Sequence, residues 1–442
     1  MMARRDFLNH TGVSLAGLAA IGAWPGRVRG AANDRIRHAV IGTGGMGGSH
    51  ARAFARLKDC EVVALCDVDP ARLGATASKL PNAERVKQHS DFRRLLEDDS
   101  IDTVSIATCD HWHTPVALAA VLAGKHVYVE KPCSHNVHES NLLAKAARVH
   151  GKCVQHGTQR RSWSQLHAAV EALRSGVIGN VLTAKAINHQ LRGPIGRAPA
   201  SEPPPGVNYD LWLGPAPKHA FTRNRWHYNW HWFWDYGCGD LGNDGIHQLD
   251  VARWGLGVDY PKAVVGTGGQ FVYDDDHETP DTQTVIYEFD RCQIIYEMRL
   301  WTDYPMEGHD NGTIFYGTEG KLEDGRRGVV VTMKDGEARA IEGERESNME
   351  NFLRAVRADA PSQLSVPIEV GAVSANLCHL GNISTRLGGV RLEYDPKAGR
   401  FAAAGGREDA ANALLSRDYR EGYELAYRRV FLCDRTAEEG GF

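Results

Sequence analysis

The run Gly42-Thr43-Gly44-Gly45-Met46-Gly47 narrows what this chain can fold into more than any other feature, because of what stands on either side of it. Residues 37–41 before it read as a β-branched strand, and residues 47–57 after it read as a helix. A GxGxxG alone says little in a chain with 47 glycines. Between a strand and a helix it marks a turn built to cradle a pyrophosphate. Gly42 permits the tight turn, Gly44 lets a phosphate approach the backbone, and Gly47 lets helix and strand pack closely. Met46 lies inside the same run and is expected at the cofactor. The phosphates would rest on the helix N-terminus, where free N–H groups and the dipole favour anions. Twenty residues after Gly47, Asp67 closes the second strand-like run. A carboxylate there accepts from ribose hydroxyls and repels a 2′-phosphate, so NAD is expected rather than NADP.

The alternation continues through the first third of the chain. Strand-like runs at 61–66, 103–107, 126–129 and 153–156 are separated by helical patterns at 70–80, 91–96, 115–123 and 139–149. Strands alternating with helices of this length predict βαβ units and a parallel sheet. After residue 157 the pattern changes. Residues 193–206 contain five prolines and read as a long loop. Runs at 284–289, 293–298 and 328–333 follow one another with turn signals between, as an antiparallel sheet requires. Residues 351–358 and 368–387 are helical in period. The expected class is α/β: a Rossmann domain over 33–158, an α+β substrate and oligomerisation domain over 159–400, and an extension over 401–442 packed on the surface. The substrate cleft is expected between the two domains.

Composition excludes several functions. Lys and Arg number 51 against 55 Asp and Glu, a formal charge of −4, which does not suit a nucleic-acid partner. Arg4-Arg5-Asp6-Phe7-Leu8, an uncharged stretch over 11–24 and the small residues Gly30-Ala31-Ala32 have the form of a secretory signal over residues 1–32. The apolar run falls short of the roughly 20 residues a bilayer span needs. Paired arginines before Phe-Leu resemble the twin-arginine export signal, a route that carries folded proteins. A periplasmic or exported protein is expected, without stable membrane insertion after processing. The nine cysteines form no CxxC pair, so buried thiols are expected rather than a zinc site or disulfide framework.

Four stretches could carry chemistry. Glu130-Lys131-Pro132 ends a parallel strand, the edge where ligands of doubly wound sheets bind. A Lys there can hydrogen-bond a substrate hydroxyl as hydride leaves. Thr108-Cys109-Asp110-His111-Trp112-His113 joins a strand to a helix, with Asp110 as a candidate N-cap. His111 and His113 suit the cofactor edge better than a metal, since spacing supplies no third ligand. Trp226, Trp230, Trp232 and Trp234 crowd into nine residues, and indole faces suit the C–H faces of sugar rings. On the helix after Gly242-Asn243-Asp244, His247 and Asp250 are three apart and can be neighbours. A carboxylate beside an imidazole would raise its pKa and fix its tautomer, as a general base requires.

Taken together, Gly42 to Gly47, Thr108 to His113, Glu130-Lys131-Pro132 and the helix carrying His247 resemble the glucose–fructose oxidoreductase and inositol dehydrogenase superfamily (Gfo/Idh/MocA). Asp110 to His113, Gln155 to Gln159 and Asn229 to Tyr236 resemble its twin-arginine-exported bacterial branch. The resemblance covers nearly all of residues 35–435. It implies NAD-dependent oxidation of a secondary hydroxyl on a sugar, polyol or glycoside, and an open-faced sheet that makes homo-oligomers. It implies catalytic Lys131 and His247 with Asn243 or Asp244, and cofactor contacts at Thr108, His113, Glu130 and Lys131. Substrate contacts are implied at Gln159, Trp230, Trp232, Trp234 and His247. Two positions depart from the pattern: Asn243 stands where many members carry Asp, and Cys109 where Pro is usual. An exported enzyme has no soluble NAD to exchange with, so tightly bound, recycling NAD is expected. A redox-neutral glycosidase or epimerase is the alternative, and a non-catalytic sugar-binding protein the alternative of another class.

Overall fold

The computed structural model describes residues 35–423. The expected export signal and Cys433 lie outside the described residues. The first part of the chain runs β1 (Ile36–Ile41), α1 (Gly45–Arg56), β2 (Cys60–Cys66), α2 (Pro70–Ala77), β3 (Lys87–His89), α3 (Phe92–Leu96), β4 (Thr103–Ile106), α4 (Asp110–Leu122), β5 (His126–Val129), α5 (Val137–Val149) and β6 (Val154–His156). These strands form one sheet in the order β3-β2-β1-β4-β5-β6, every neighbouring pair parallel. This is the doubly wound dinucleotide-binding order. Both faces are buried: Val40, Val62 and Leu65 pack against α1 and α2, while Ala39, Val104 and Ile106 pack toward α4 and α5. Continuous apolar runs rather than alternation follow from that double burial. Only β3 lacked a signal, being short, polar and at the sheet edge.

The second part comprises α6 (Ser164–Arg174), β7 (Val181–His189), α7 (Tyr209–Leu213), α8 (Ile246–Leu256), β8 (Ala263–Gly269), β9 (Thr282–Glu288), β10 (Gln293–Arg299), β11 (Asn311–Gly317), β12 (Gly320–Gly325), β13 (Gly328–Met333) and β14 (Ala338–Ile341). Then follow α9 (Asn348–Arg357), α10 (Ile368–Arg386), β15 (Glu393–Asp395), β16 (Arg400–Ala403) and α11 (Glu408–Ala413). Eight strands form a sheet in the order β14-β13-β12-β11-β7-β10-β9-β8. All its pairs are antiparallel except β7 with β10. Along β9 and β10 burial alternates strictly, so one face meets α8 and α10 and the other stands open.

Two helices join the halves. α10 packs on α5 and on β8 together. α9 returns to the first sheet, where Phe352 meets Phe54 and Tyr128 edge to face at 6.5 and 6.0 Å. A linear division at residue 158 separates α9 from the core it completes. Such a return depends on which apolar face it finds, and periodicity does not encode that.

The turn from β1 into α1 is closely packed. Gly42 has φ +82°, a conformation L side chains rarely adopt. A Cβ on Gly47 would stand 1.7 Å from the Gly42 carbonyl oxygen. Nothing flexible can yield there, because the obstacle is backbone. We therefore expect Gly47→Ala to cost about 2–3 kcal/mol or more, read as a lowered denaturation midpoint, whereas Gly45→Ala, with nothing within 4 Å, should leave it nearly unchanged.

Candidate active site

A cleft of about 330 Å³ opens between the carboxyl edge of the parallel sheet and residues of the second half. On one side stand the Gly42–Gly47 turn, Asp67, Thr108, His113, Glu130 and Lys131; on the other are Trp212, Trp226, Tyr228, Trp230, His231 and Asn243. The sequence-derived cofactor residues Gly42, Gly44, Met46, Asp67, Thr108, His113, Glu130 and Lys131 all line it. Gly47 lies one step behind, in the packing of α1 against the turn.

The cleft fits a dinucleotide along its length. No side chain caps α1 and no acidic residue occupies its first turn, so its free N–H groups and positive dipole end remain for an anion. Gly44 has nothing within 4 Å of where a Cβ would stand, which leaves open space at the place for a pyrophosphate. At one end, Asp67 Oδ2 accepts from the Thr43 N–H at 2.6 Å and the Thr43 hydroxyl at 3.0 Å, and Oδ1 accepts from the Asp69 N–H at 2.9 Å. Those bonds brace the carboxylate against the turn, and its oxygens retain acceptor capacity for a ribose. Burial pushes its pKa up despite them.

At the other end, Glu130 Oε1 accepts from His50 Nε2 at 3.0 Å and Oε2 from the Lys131 N–H at 3.2 Å. Burial alone would raise this carboxyl, but His50 and Lys131 outweigh it and hold it at about 2. His113 lies between two strand ends, its ring nitrogens 2.6 Å from the Pro132 oxygen and 3.1 Å from the Thr108 oxygen, and as a neutral ring it donates to one of them. His111 sits likewise between the carbonyls of Trp212 and Tyr236, at 3.0 and 3.3 Å. Burial lowers both imidazoles, to about 3 for His111 and about 4 for His113.

Lys131 Nζ donates to the main-chain oxygen of Asn243 at 2.6 Å and to its Oδ1 at 3.0 Å. Asn243 lies in a π-helical turn, Leu241–Gly245, that leads into α8. Such a turn disturbs the regular carbonyl pairing, and Lys131 supplies a donor from the other domain. Asn243 Nδ2 meanwhile donates to Asp240 Oδ1 at 2.9 Å. An Asp at 243 could accept from Lys131 but could not donate to Asp240, so the departure from the family pattern suits this site. Asp244 accepts from Gln190 and Arg192. Burial would raise Asp244, yet Lys131 and Arg192 outweigh it and hold it below the usual carboxylate range.

Asp250 does not serve His247. It takes both oxygens to Arg161 Nε, at 3.0 and 2.8 Å, and accepts from the Ser374 hydroxyl at 2.6 Å. His247 is instead lowered to about 4, by burial first and then by Lys131, and its Nδ1 is buried without a hydrogen-bond partner. Its charged neighbours are Lys131, Asp244, Arg160 and Glu130; a buried guanidinium outcompetes a neutral ring for the helical carboxylate. Asp110 is not the N-cap of α4. Cys109 holds that position, and Asp110 Oδ2 accepts from the Cys238 N–H at 3.1 Å. The tryptophans divide. Trp226 and Trp230 line the cleft, Trp232 is fully buried in the core, and Trp234 lies under the Arg386 guanidinium at 4.9 Å. Gln159 is exposed at the start of a 3₁₀ turn and outside the cleft lining.

Sequence reading missed the row Asn188, Gln190 and Arg192. Asn188 Nδ2 reaches Asp240 Oδ2 at 2.9 Å, Gln190 reaches Asp244, and Arg192 reaches both Asp240, at 3.1 Å, and Asp244. Their spacing of two along an extended segment was the available signal.

Comparison with known proteins agrees with this geometry. The Gfo/Idh/MocA model for an oxidoreductase family with an NAD-binding Rossmann fold matches residues 36–158, and that family's C-terminal alpha/beta domain matches residues 193–425. A glycosyl hydrolase family 109 protein of Solibacter usitatus is 31% identical over 209 residues, 43% of this chain and 46% of that one. Another, from Shewanella pealeana, is 31% identical over 167 residues, 36% of each. The match thus spans less than half the length of these curated relatives. Among solved structures, the WlbA dehydrogenase of Bordetella pertussis in complex with NADH and UDP-GlcNAcA superposes with TM-score 0.64 at 19% identity, covering 82% of this chain and 99% of that one. The aldose–aldose oxidoreductase of Caulobacter crescentus gives 0.63 at 18%, covering 81% and 100%. At that identity they establish the fold.

Asp110 offers a direct check on the electrostatics. Burial raises its carboxyl to about 7, against the opposing pull of Lys131. Between about pH 4, the unfolded value, and pH 7 the folded chain holds a proton that the unfolded chain releases. This contribution to stability is therefore present below pH 4 and lost as pH rises through 7. Asp110→Asn keeps an acceptor for the Cys238 N–H and removes the ionisation. Its stability relative to the parent should rise between pH 4 and pH 8 by up to about 4 kcal/mol, measured by urea denaturation at both pH values.

Proposed function

The chain belongs to the Gfo/Idh/MocA family of NAD-binding oxidoreductases, and on that premise we propose that it oxidises a secondary hydroxyl of a sugar, polyol or glycoside with NAD that stays bound. The observation that carries this reading is the Lys131–Asn243 contact, which closes a dinucleotide cleft with an ammonium at the end opposite Asp67. NAD, when bound, supplies the hydride acceptor.

Lys131 spends two of its three N–H donors on Asn243, and the third is free for the hydroxyl to be oxidised. His247, kept neutral by burial and by Lys131, takes the hydroxyl proton as the carbonyl forms. Asp244, kept ionised by Lys131 and Arg192, steadies the imidazolium that results. Trp230, stacked on His231 with centroids 3.6 Å apart, offers a flat apolar face for a ring. Export by the twin-arginine route would deliver the folded protein with its cofactor. Ile286 and Tyr316, exposed on the sheet face away from the helices, support a homo-oligomer joined across that face.

A redox-neutral glycosidase is the second reading, favoured by the glycosyl hydrolase relatives. There the same oxidation makes the neighbouring C–H acidic, the glycosidic bond leaves by elimination, water adds, and the ketone is reduced again.

Denaturing the purified protein and assaying the supernatant by mass and absorbance should release near-stoichiometric NAD. Glycosides should turn over without added NAD, and Lys131→Ala or His247→Ala should lower the rate about 10²–10⁴-fold with the fold retained by circular dichroism. A protein that is empty and fails to bind added NAD would overturn the enzyme reading and leave a sugar-binding protein.

A further inference from the structure

One wall of the cleft is not supplied by the Rossmann domain. Residues 206–228, from the second half, cross over its Asp67 end. The Asn208 N–H donates to the Val68 oxygen at 3.1 Å. Leu211, Trp212, Trp226 and His227 then line the cleft opposite Asp67, Val68 and Asp69. The segment has a small aromatic core: Tyr209 stacks on Trp212 with centroids 5.5 Å apart, and Trp226 packs on Trp212 and Phe221, both at 5.4 Å.

Its base is anchored firmly. Trp112 Nε1 donates to the oxygens of Leu211 and Trp212 at 3.0 and 3.1 Å. Arg420 Nε donates to the Gly214 oxygen at 2.7 Å, and the same guanidinium pairs with Asp210 at 2.5 Å. Its tip is held differently. His227 has φ +61°, uncommon for a residue with a side chain, and its Nε2 lies 3.1 Å from Asp69 Oδ2. The other oxygen of Asp69 caps α2, accepting the Ala71 N–H at 2.9 Å. One carboxylate thus joins the crossing segment to the Rossmann domain beside the ribose position.

We propose that His227, held by Asp69 of the Rossmann domain and backed by Trp212 and Trp226, forms a second-domain half of the dinucleotide site over its adenosine end, and that this His227–Asp69 bridge sets how slowly the dinucleotide leaves. An adenine ring and its ribose are the class of ligand that a carboxylate, an imidazole and two indoles accommodate together. The inference deepens the bound-cofactor reading above and rests on it.

The test is exchange of bound NAD against isotopically labelled NAD, followed by mass spectrometry on the holoprotein, loaded by incubation if purified empty. His227→Ala should speed release about ten- to a hundredfold, as loss of a hydrogen bond to a charged group implies. His227→Gly, which relieves the left-handed backbone but also lacks the ring, should match it and exclude strain as the cause. Asp69→Asn retains a good N-cap and should speed release too, and the pair Asp69→Asn with His227→Ala should be less than additive. Unchanged melting would keep these effects local. If the parent holds NAD for hours and the variants release it at the same rate, the bridge plays no part in retention. A parent that exchanges NAD within seconds would overturn the bound-cofactor reading of the preceding section, and equal rates in the variants would overturn this one as well.

Discussion

The contact between Lys131 and Asn243 is the one on which the arrangement of the site depends. It joins the carboxyl end of β5 to the turn before α8, two elements 112 residues apart in sequence. A half-buried ammonium at a domain boundary is costly unless it has acceptors. Asn243 provides two at once, its main-chain oxygen, in a turn whose π-helical pairing departs from the α-helical ladder, and its side-chain oxygen. The same turn sets the start of α8 and so places His247 one helical step on. Asn243 also donates to Asp240, which pairs with Arg192. The position of Lys131 is thus tied to the end of β7.

The electrostatics of the cleft follow from burial. The imidazoles His113 and His231 in its lining, and His247 behind it, are lowered because charging a buried ring is expensive. Carboxylates divide by partner. Glu130 and Asp244 face cations that outweigh desolvation and remain ionised, whereas Asp110 and Asp67 are pushed up by it. The result is a set of neutral imidazoles and fixed anions around one ammonium, an environment suited to moving a hydroxyl proton.

The aromatic stretch shows how far a local pattern can be read. Four tryptophans in nine residues signalled a site, and two of them, Trp226 and Trp230, do line the cleft. Trp232 went to the core and Trp234 to a cation–π contact with Arg386, because a chain of 3₁₀ turns sends neighbouring side chains in different directions. His247 with Asp250 misled for a related reason: helical spacing shows that two groups can meet, while Arg161, 89 residues away in sequence, took the carboxylate.

By itself the sequence determined the Rossmann half, its glycine turn, Asp67 and the strand-end Lys131, because each is set by local rules: strand and helix periods, a positive φ at Gly42 and a backbone approach at Gly47 that no other residue allows. It also determined that a second, largely antiparallel sheet follows. Which partners the charged groups have, which tryptophans face the cleft, the return of α9 to the first core and the crossing of residues 206–228 over the dinucleotide site are settled in the folded molecule alone. Those are contacts between segments far apart in the chain, and they are chosen by competition for buried area and for hydrogen-bond partners, a competition that no local spacing records.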